Sequence, residues 1–231
     1  KMSHLHFVAA EAYRQRMIQL GEQPDRVFLV GGLGIDNIKR LQLLDRTALE
    51  ASLDLKLGTK NLLITFHPVT LETATAEKQM GKLLEALAAL KDTLLIFTLP
   101  NADTDGRALI NMVEMFVALH TNARAYASLG QLRYLSCIAQ VDGVVGNSSS
   151  GLAEVPSFKK GTINIGDRQR GRLQAESVIN CEPTCESITA ALAQLYSVDF
   201  QRSLHQVTNP YGEGGASEKV VSTLKNTVIA G

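Results

Sequence analysis

The chain has 231 residues, 45% of them apolar, which is enough for the core of one large domain or two small ones. Lys plus Arg and Asp plus Glu both number 23, so no bulk charge directs the chain to nucleic acid or to an anionic membrane surface, and any anion site must be local. No apolar run reaches the roughly 18 residues of a membrane span and no secretory leader opens the sequence. Three cysteines, Cys137, Cys181 and Cys185, form an odd set that fits no zinc spacing, so the expectation is a globular cytoplasmic protein with reduced thiols and no metal.

The sequence opens Lys1-Met2-Ser3, which is how a piece of a longer protein would begin. Ser3 is placed to cap a first helix, "HLHFVAAEAYRQRMIQLG", whose apolar residues partly follow helical spacing until Gly21 ends it and Pro24 closes the turn. Short apolar runs then alternate with helical stretches. The runs are "RVFLVGG" (26–32), "NLLITFHPV" (61–69), "TLLIFTLP" (93–100), "ARAYAS" (123–128), "GVVGNS" (143–148), "GTINIG" (161–166) and "SVINC" (177–181). Helices are predicted over 76–91, 106–120, 129–141 and 185–196. Continuously apolar rather than alternating strands indicate a sheet covered on both faces. Repeated strand-helix units of this length indicate an α/β fold with an open, doubly wound, Rossmann-like parallel sheet.

In such sheets ligands sit beyond the carboxyl ends of the strands. His67 and Pro68, Pro100 and Asn101, Ser148 to Ser150, and Asp167 to Arg172 follow the second, third, fifth and sixth of these runs and are expected to share one crevice, at least in part. At "GNSSSG" (146–151) a strand runs into a helix start, where hydroxyls and backbone N–H groups can converge on a phosphate oxygen without a lysine. The competing reading is one capping serine and two solvated ones. Glu154 follows in that helix, suited to accept from two ribose hydroxyls, or else a surface carboxylate. Arg168, Arg170 and Arg172, with Gly166 and Gly171 around them, suit phosphate, or form a solvated basic loop. His67 stands at a strand exit where Pro68 stops the ladder, and is either a site residue or a structural histidine.

Two other patterns fail. "GGLGID" (31–36) lacks the third glycine of a dinucleotide fingerprint, since Asn37 stands there. A nucleophile elbow at Ser149 is excluded because Gly151 falls one position late after Gly146.

Taken in order, "TFHPVT", "LPNAD", "GNSSSGLAEVP", "INIGDRQRGR" and "NPYGEGGAS" resemble the hydrolysing UDP-N-acetylglucosamine 2-epimerases of bacterial sialic-acid and related nonulosonate synthesis. The likeness covers essentially the whole chain, and "GNSSSGLAE" followed by "GDRQRGR" is its specific part. It implies a two-domain fold of the glycosyltransferase-B type, with this chain as the carboxyl-terminal half. Residues 1–25 would be the joining segment, 26–208 the UDP-binding domain and 209–231 a closing segment and helix. The resemblance assigns His67 to the diphosphate and to turnover, Ser148 and Ser149 to phosphate, Glu154 to ribose and Arg168 to the nucleotide; Asn101, in "LPNAD", is taken as a further substrate-binding residue. It implies a UDP-sugar substrate, an amino-terminal domain that supplies the acid–base groups, a homo-oligomer when full length, and neither a metal nor a redox cofactor. Two alternatives stand beside it: the non-hydrolysing epimerase, and a nucleotide-sugar-binding module without catalysis.

Overall fold

The computed structural model of the chain describes residues 2–68, 73–101 and 104–227. Val69 and Thr70 of "TFHPVT", Ala102 and Asp103 of "LPNAD" and the last residues of the closing segment lie outside them. The described residues form two compact units: one is made of those up to Gln42 together with those from Thr208 on, the other is Leu43–Val207. No described helix is long and apolar enough to cross a membrane.

The first unit carries a two-stranded parallel sheet, β1 (His6–Val8) and β2 (Val27–Leu29), registered His6 to Val27 and Val8 to Leu29. The helix expected from Ser3 is therefore divided. Its opening residues "HFV" pair with "VFL" some twenty positions on, and only α1 (Glu11–Gln19) remains helical, entered through Ala10 without a side-chain cap. Aromatic and β-branched residues fit a pleated surface once a partner strand exists, and that long-range pairing overrode the local helical spacing. Arg14 holds the return, its Nε donating to the Val27 carbonyl (3.0 Å) and its Nη2 to that of Pro24 (3.1 Å). The run at 26–32, expected to open the main sheet, thus lies in the first unit, whose boundary falls after Gln42 rather than after residue 25.

The same unit explains "GGLGID". Gly32 precedes α2 (Leu33–Arg40), and Asp36 on that helix is 7% exposed. Its Oδ1 accepts from the Ala216 N–H (3.0 Å) and its Oδ2 from the Ser217 N–H (2.7 Å), at the start of the chain's last helix, α10 (Ala216–Asn226). A carboxylate here takes the orphan N–H groups of a helix whose preceding residue, Gly215, offers no side chain.

The second unit holds six strands: β3 (Lys60–Thr65), β4 (Thr93–Thr98), β5 (Ala123–Tyr126), β6 (Gly143–Gly146), β7 (Gly161–Ile165) and β8 (Val178–Cys181). They lie in the order β5-β4-β3-β6-β7-β8 and every neighbouring pair is parallel. The chain walks outward from β3 to one edge, returns to the other side of β3, and walks outward again, which is the doubly wound arrangement expected. Leu62, Leu63 and Ile64 are each at most 1% exposed, as strands covered on both faces must be. One face is packed by α4 (Thr73–Ala88), α5 (Thr104–Leu119) and α8 (Cys185–Leu195), the last followed by the short α9 (Val198–Ser203). Met80, Leu83, Leu109, Phe116, Ile188 and Leu192 meet Leu62, Ile64, Phe97 and Ile163 there. Opposite them lie α3 (Arg46–Leu53), which sequence spacing did not reveal, and α6 (Gly130–Gln140), packed on each other. A signal for α3 was present: Asp45 accepts from the Ala48 N–H (2.8 Å) as an N-cap, and Asp54 ends the helix in the left-handed region.

The hydrogen bonds from Ser217, and from the backbone of Ala216, hold the Asp36 carboxyl down at about 2, against an ordinary 3.8. A depressed carboxylate stabilises fully above its unfolded value, so this contribution is complete above pH 3.8 and lost as pH falls toward 2. Asp36→Ala is expected to cost the first unit about 0.5–2 kcal/mol, the range of a lost N-cap. Amide exchange along α10 at neutral pH checks this; protection equal to that of the parent would contradict it.

Candidate functional site

The sheet order places its switch point between β3 and β6, where adjacent crossovers leave in opposite directions and open a crevice. The register pairs Thr65 with Gly146 at that point. Gly146 has φ 144°, and a Cβ on it would lie 1.9 Å from the Thr65 carbonyl oxygen. Only glycine lets β6 pass so close to β3.

Asn147 comes next and is 1% exposed. Its side-chain amide forms a reciprocal pair with His67, two positions past β3: the His67 N–H donates to Asn147 Oδ1 (2.8 Å), and Asn147 Nδ2 donates to the His67 carbonyl (2.8 Å). Its own N–H donates to the Thr65 carbonyl (3.2 Å). Its carbonyl accepts from Arg168 Nη1 (3.1 Å) and from Gln169 Nε2 (2.8 Å), both in the loop after β7. Three strand-end loops therefore meet on one asparagine. His67, Ser148 and Arg168, read separately in the sequence, are brought to a single corner.

Ser148 and Ser149 follow, both half-buried. The helix expected after them is a single turn, α7 (Ser150–Ala153), so Glu154 stands at its end rather than a turn and a half inside it. Pro156, in the 3-10 turn Val155–Phe158 that follows, stops further α-helix. So short a helix brings little macrodipole, and the donors that matter are individual groups. Among the described residues, the backbone N–H groups of Ser148 and Ser149 have no partner within the chain. Ser150 turns inward, its hydroxyl buried beside the Tyr134 hydroxyl of α6. Gly151 is steric: a Cβ there would lie 2.6 Å from Thr162 Cγ2 on β7, and its carbonyl accepts from Thr162 Oγ1 (2.8 Å). Glu154, half-buried, acts on the same Tyr134, whose hydroxyl is pushed up first by burial.

The basic loop divides. Arg168 turns to the corner, whereas Arg170 pairs loosely with Asp167 (3.8 Å) on the surface. Between them Gln169, 2% exposed, is the loop's buried anchor. Asn147 and Gln169 are the residues that sequence reasoning missed, because a buried amide looks like any polar loop residue until its partners are known. Asn101 is exposed beyond β4, one strand along from His67 on the same edge. A cavity of about 400 Å³ opens farther along, lined by Asn164, Gly166, Asp167, Arg170 and Asn180; it touches the outer side of the basic loop but none of His67, Ser148, Ser149 or Glu154.

Comparison with known proteins follows this geometry. The pattern of a family described as UDP-N-acetylglucosamine 2-epimerase matches residues 1–225. A Campylobacter jejuni protein named GDP/UDP-N,N'-diacetylbacillosamine 2-epimerase (hydrolyzing) is 40% identical over 228 residues, 98% of this chain and 59% of that protein. An Escherichia coli protein named polysialic acid biosynthesis protein P7 is 37% identical over 232 residues, 99% of this chain and 58% of that protein. The chain thus spans about three fifths of the length of these relatives. Among solved structures, S. aureus MnaA with UDP superposes with a TM-score of 0.77 at 17% identity, over 97% of this chain and 59% of that one, a likeness of fold.

His67 is held below the ordinary imidazole value of 6.5, first by burial and then by the Arg168 charge beside it. The imidazole is therefore neutral at pH 7, a donor and acceptor rather than a cation. For a base with a depressed folded value, the unfolded chain takes up the proton first. Stability falls as pH drops below 6.5 and the loss levels off once the folded chain also protonates. His67→Gln is expected to flatten the decline in Tm between about pH 7 and about pH 5.5 relative to the parent; identical declines in the two proteins would contradict the assignment.

Proposed function

Because the chain belongs to the UDP-N-acetylglucosamine 2-epimerase family, we propose that it is the UDP-binding part of a hydrolysing 2-epimerase that converts UDP-N-acetylglucosamine and water to N-acetylmannosamine and UDP. The observation that carries this reading is the convergence of His67, Ser148 and Arg168 on Asn147 at the switch point. That corner offers a diphosphate two hydroxyls, two unengaged N–H groups, a neutral imidazole and one guanidinium. Glu154, just beyond, accepts from the ribose hydroxyls, and Asn101 faces the substrate from the next strand end.

The chemistry asks two things of this half. The bond from C1 to the diphosphate oxygen breaks and UDP leaves with the electron pair, while a base removes the proton from C2, giving a glycal. Water then adds its hydroxyl to C1 and a proton to C2 on the opposite face, releasing the free sugar with C2 inverted. Charge grows on the departing diphosphate, and donors held in place before reaction stabilise it without reorganising. A neutral His67 donates a hydrogen bond that strengthens as that charge develops. The acid–base groups at C2 belong, in this reading, to the part of the protein outside this chain. The three free thiols support a reducing, cytoplasmic setting, and the name of the E. coli relative supports a place in sialic-acid or related nonulosonate synthesis. We extend the proposal to a homo-oligomer when the protein is full length.

A second reading of the sugar has its own support. The C. jejuni relative, 40% identical, is named for a diacetylbacillosamine nucleotide, so a 2,4-diacetamido-6-deoxy sugar is the competing substrate for the same clamp.

The clamp is tested by calorimetry with UDP. Glu154→Ala, and the double change Ser148→Ala with Ser149→Ala, are each expected to cost about 1.5–3 kcal/mol of binding, the scale of a charge-assisted hydrogen bond. Unchanged affinity in both would remove the assignment. For the reaction, the full-length protein is expected to release N-acetylmannosamine and UDP from UDP-N-acetylglucosamine, whereas the 231-residue chain alone turns nothing over. Turnover by the isolated chain would show that this half contains the whole chemistry, and release only from the diacetamido substrate would select the second reading.

A further inference from the structure

We propose that Asn147 is the positioning residue of the phosphate corner. Its amide fixes the His67 loop and its carbonyl fixes the Arg168 loop, so the two groups that face the diphosphate are set relative to Ser148 and Ser149 by one buried side chain and its backbone. This rests on reading the corner as the UDP site.

A buried primary amide has two donors and an acceptor to satisfy, and leaving them unmet is costly. Asn147, 1% exposed, engages its carbonyl oxygen and one of its two N–H donors with the backbone groups of His67, at 2.8 Å each. A paired N–H and C=O on one residue fix the displacement of that residue and also the orientation of its backbone. The imidazole therefore leaves the loop in a set direction. From the other side, Arg168 and Gln169 donate to the Asn147 carbonyl at 3.1 and 2.8 Å. Gln169 is 2% exposed, and among the described residues its Oε1 has no partner, so the bond to Asn147 is what anchors this side chain. Gly146, forced against Thr65, leaves Asn147 no freedom to drift. A supporting shell of this kind holds reactive groups within about half an ångström, and displacement on the order of 1 Å costs binding and rate steeply.

β3, whose far end leads to His67, supplies a matched control. Asn61, at the opposite end of β3 and 3% exposed, makes an equivalent reciprocal pair with Gly58: the Gly58 N–H donates to Asn61 Oδ1 (2.8 Å) and Asn61 Nδ2 donates to the Gly58 carbonyl (3.1 Å). Asn61→Ala should cost stability much as Asn147→Ala does, but far from the corner.

The experiment compares Asn147→Ala, Asn61→Ala and the parent chain by thermal unfolding, by amide exchange at His67 and by calorimetry with UDP, at a temperature where all are folded. Both variants are expected to melt lower. Only Asn147→Ala should speed exchange at the His67 N–H and weaken UDP binding, each by about tenfold or more. Lower melting in both with UDP affinity within about twofold of the parent would reduce Asn147 to scaffold and overturn the proposal. Gln169→Ala, which removes the shorter of the two bonds from the β7 loop and leaves the β3 tie, is the second variant should Asn147→Ala not fold. It is expected to weaken UDP binding with His67 exchange unchanged, and full affinity there would overturn the role of the carbonyl. If the parent binds no UDP, the reading of the corner as a UDP site fails, and exchange at His67 still decides whether Asn147 positions that loop: unaltered exchange in Asn147→Ala overturns it.

Discussion

β3 and β6 run side by side in parallel, and at their ends the Gly146 backbone lies so close to the Thr65 carbonyl that no side chain fits between them. That steric condition organises the corner. It commits Gly146 to the left-handed region, which delivers Asn147 into the interior rather than to solvent. A buried amide must then find partners, and the nearest are the backbone groups of the residue that leaves β3. What begins as close packing between two strands becomes a set of directional bonds among three loops. The residues with chemistry to perform are carried on those loops, as usual in α/β proteins, but their relative placement is inherited from the sheet.

The two units use one piece of physics to opposite ends. In the first, the exposed N–H groups at the start of α10 are taken by Asp36, an internal anion, and the result is structural. In the second, the N–H groups of Ser148 and Ser149 have no anion supplied by the described residues, and the Arg168 guanidinium sits on the adjoining Asn147 carbonyl. On the proposed reading, a chain with equal numbers of acidic and basic residues thereby has a local anion site without a basic surface. Arg168 acts twice at this corner, as a donor to the Asn147 carbonyl and as the charge that helps keep His67 neutral, and in the proposed reading it is also a phosphate partner. A neutral imidazole next to a guanidinium does not repel its neighbour, and in the proposed reading both can donate to one anion.

Much of the candidate site could be read from order alone. His67, Ser148, Ser149, Glu154 and Arg168 fall at or just past strand ends in the sequence, and an all-parallel sheet puts every such end on one edge. Asn101 shares that edge through the same logic. Glu154 was misjudged in its local setting, since one turn of helix stands where a longer one was expected, and the proline that shortens it was visible two positions on. The serine triplet separates in the fold, with Ser150 turned inward. That choice depends on Tyr134 across the corner, which nothing near Ser150 in the sequence announces.

The sequence by itself determined the sheet and its edge: continuous apolar runs such as "NLLIT" are strands because only strands buried on both faces can afford no polar alternation, and their alternation with helices makes the sheet parallel. It could not determine that "HFV" is a strand, because the segment that stabilises it lies some twenty residues away and local spacing favoured helix. Nor could it show that Asn147 and Gln169, unremarkable polar residues beside a serine run and between arginines, are among the most buried polar side chains in the second unit. Periodicity reports which face of one element is apolar, a local property of the chain. Which buried polar group satisfies which other depends on the distance between strand ends, and that distance exists only once β3, β6 and β7 have been laid side by side.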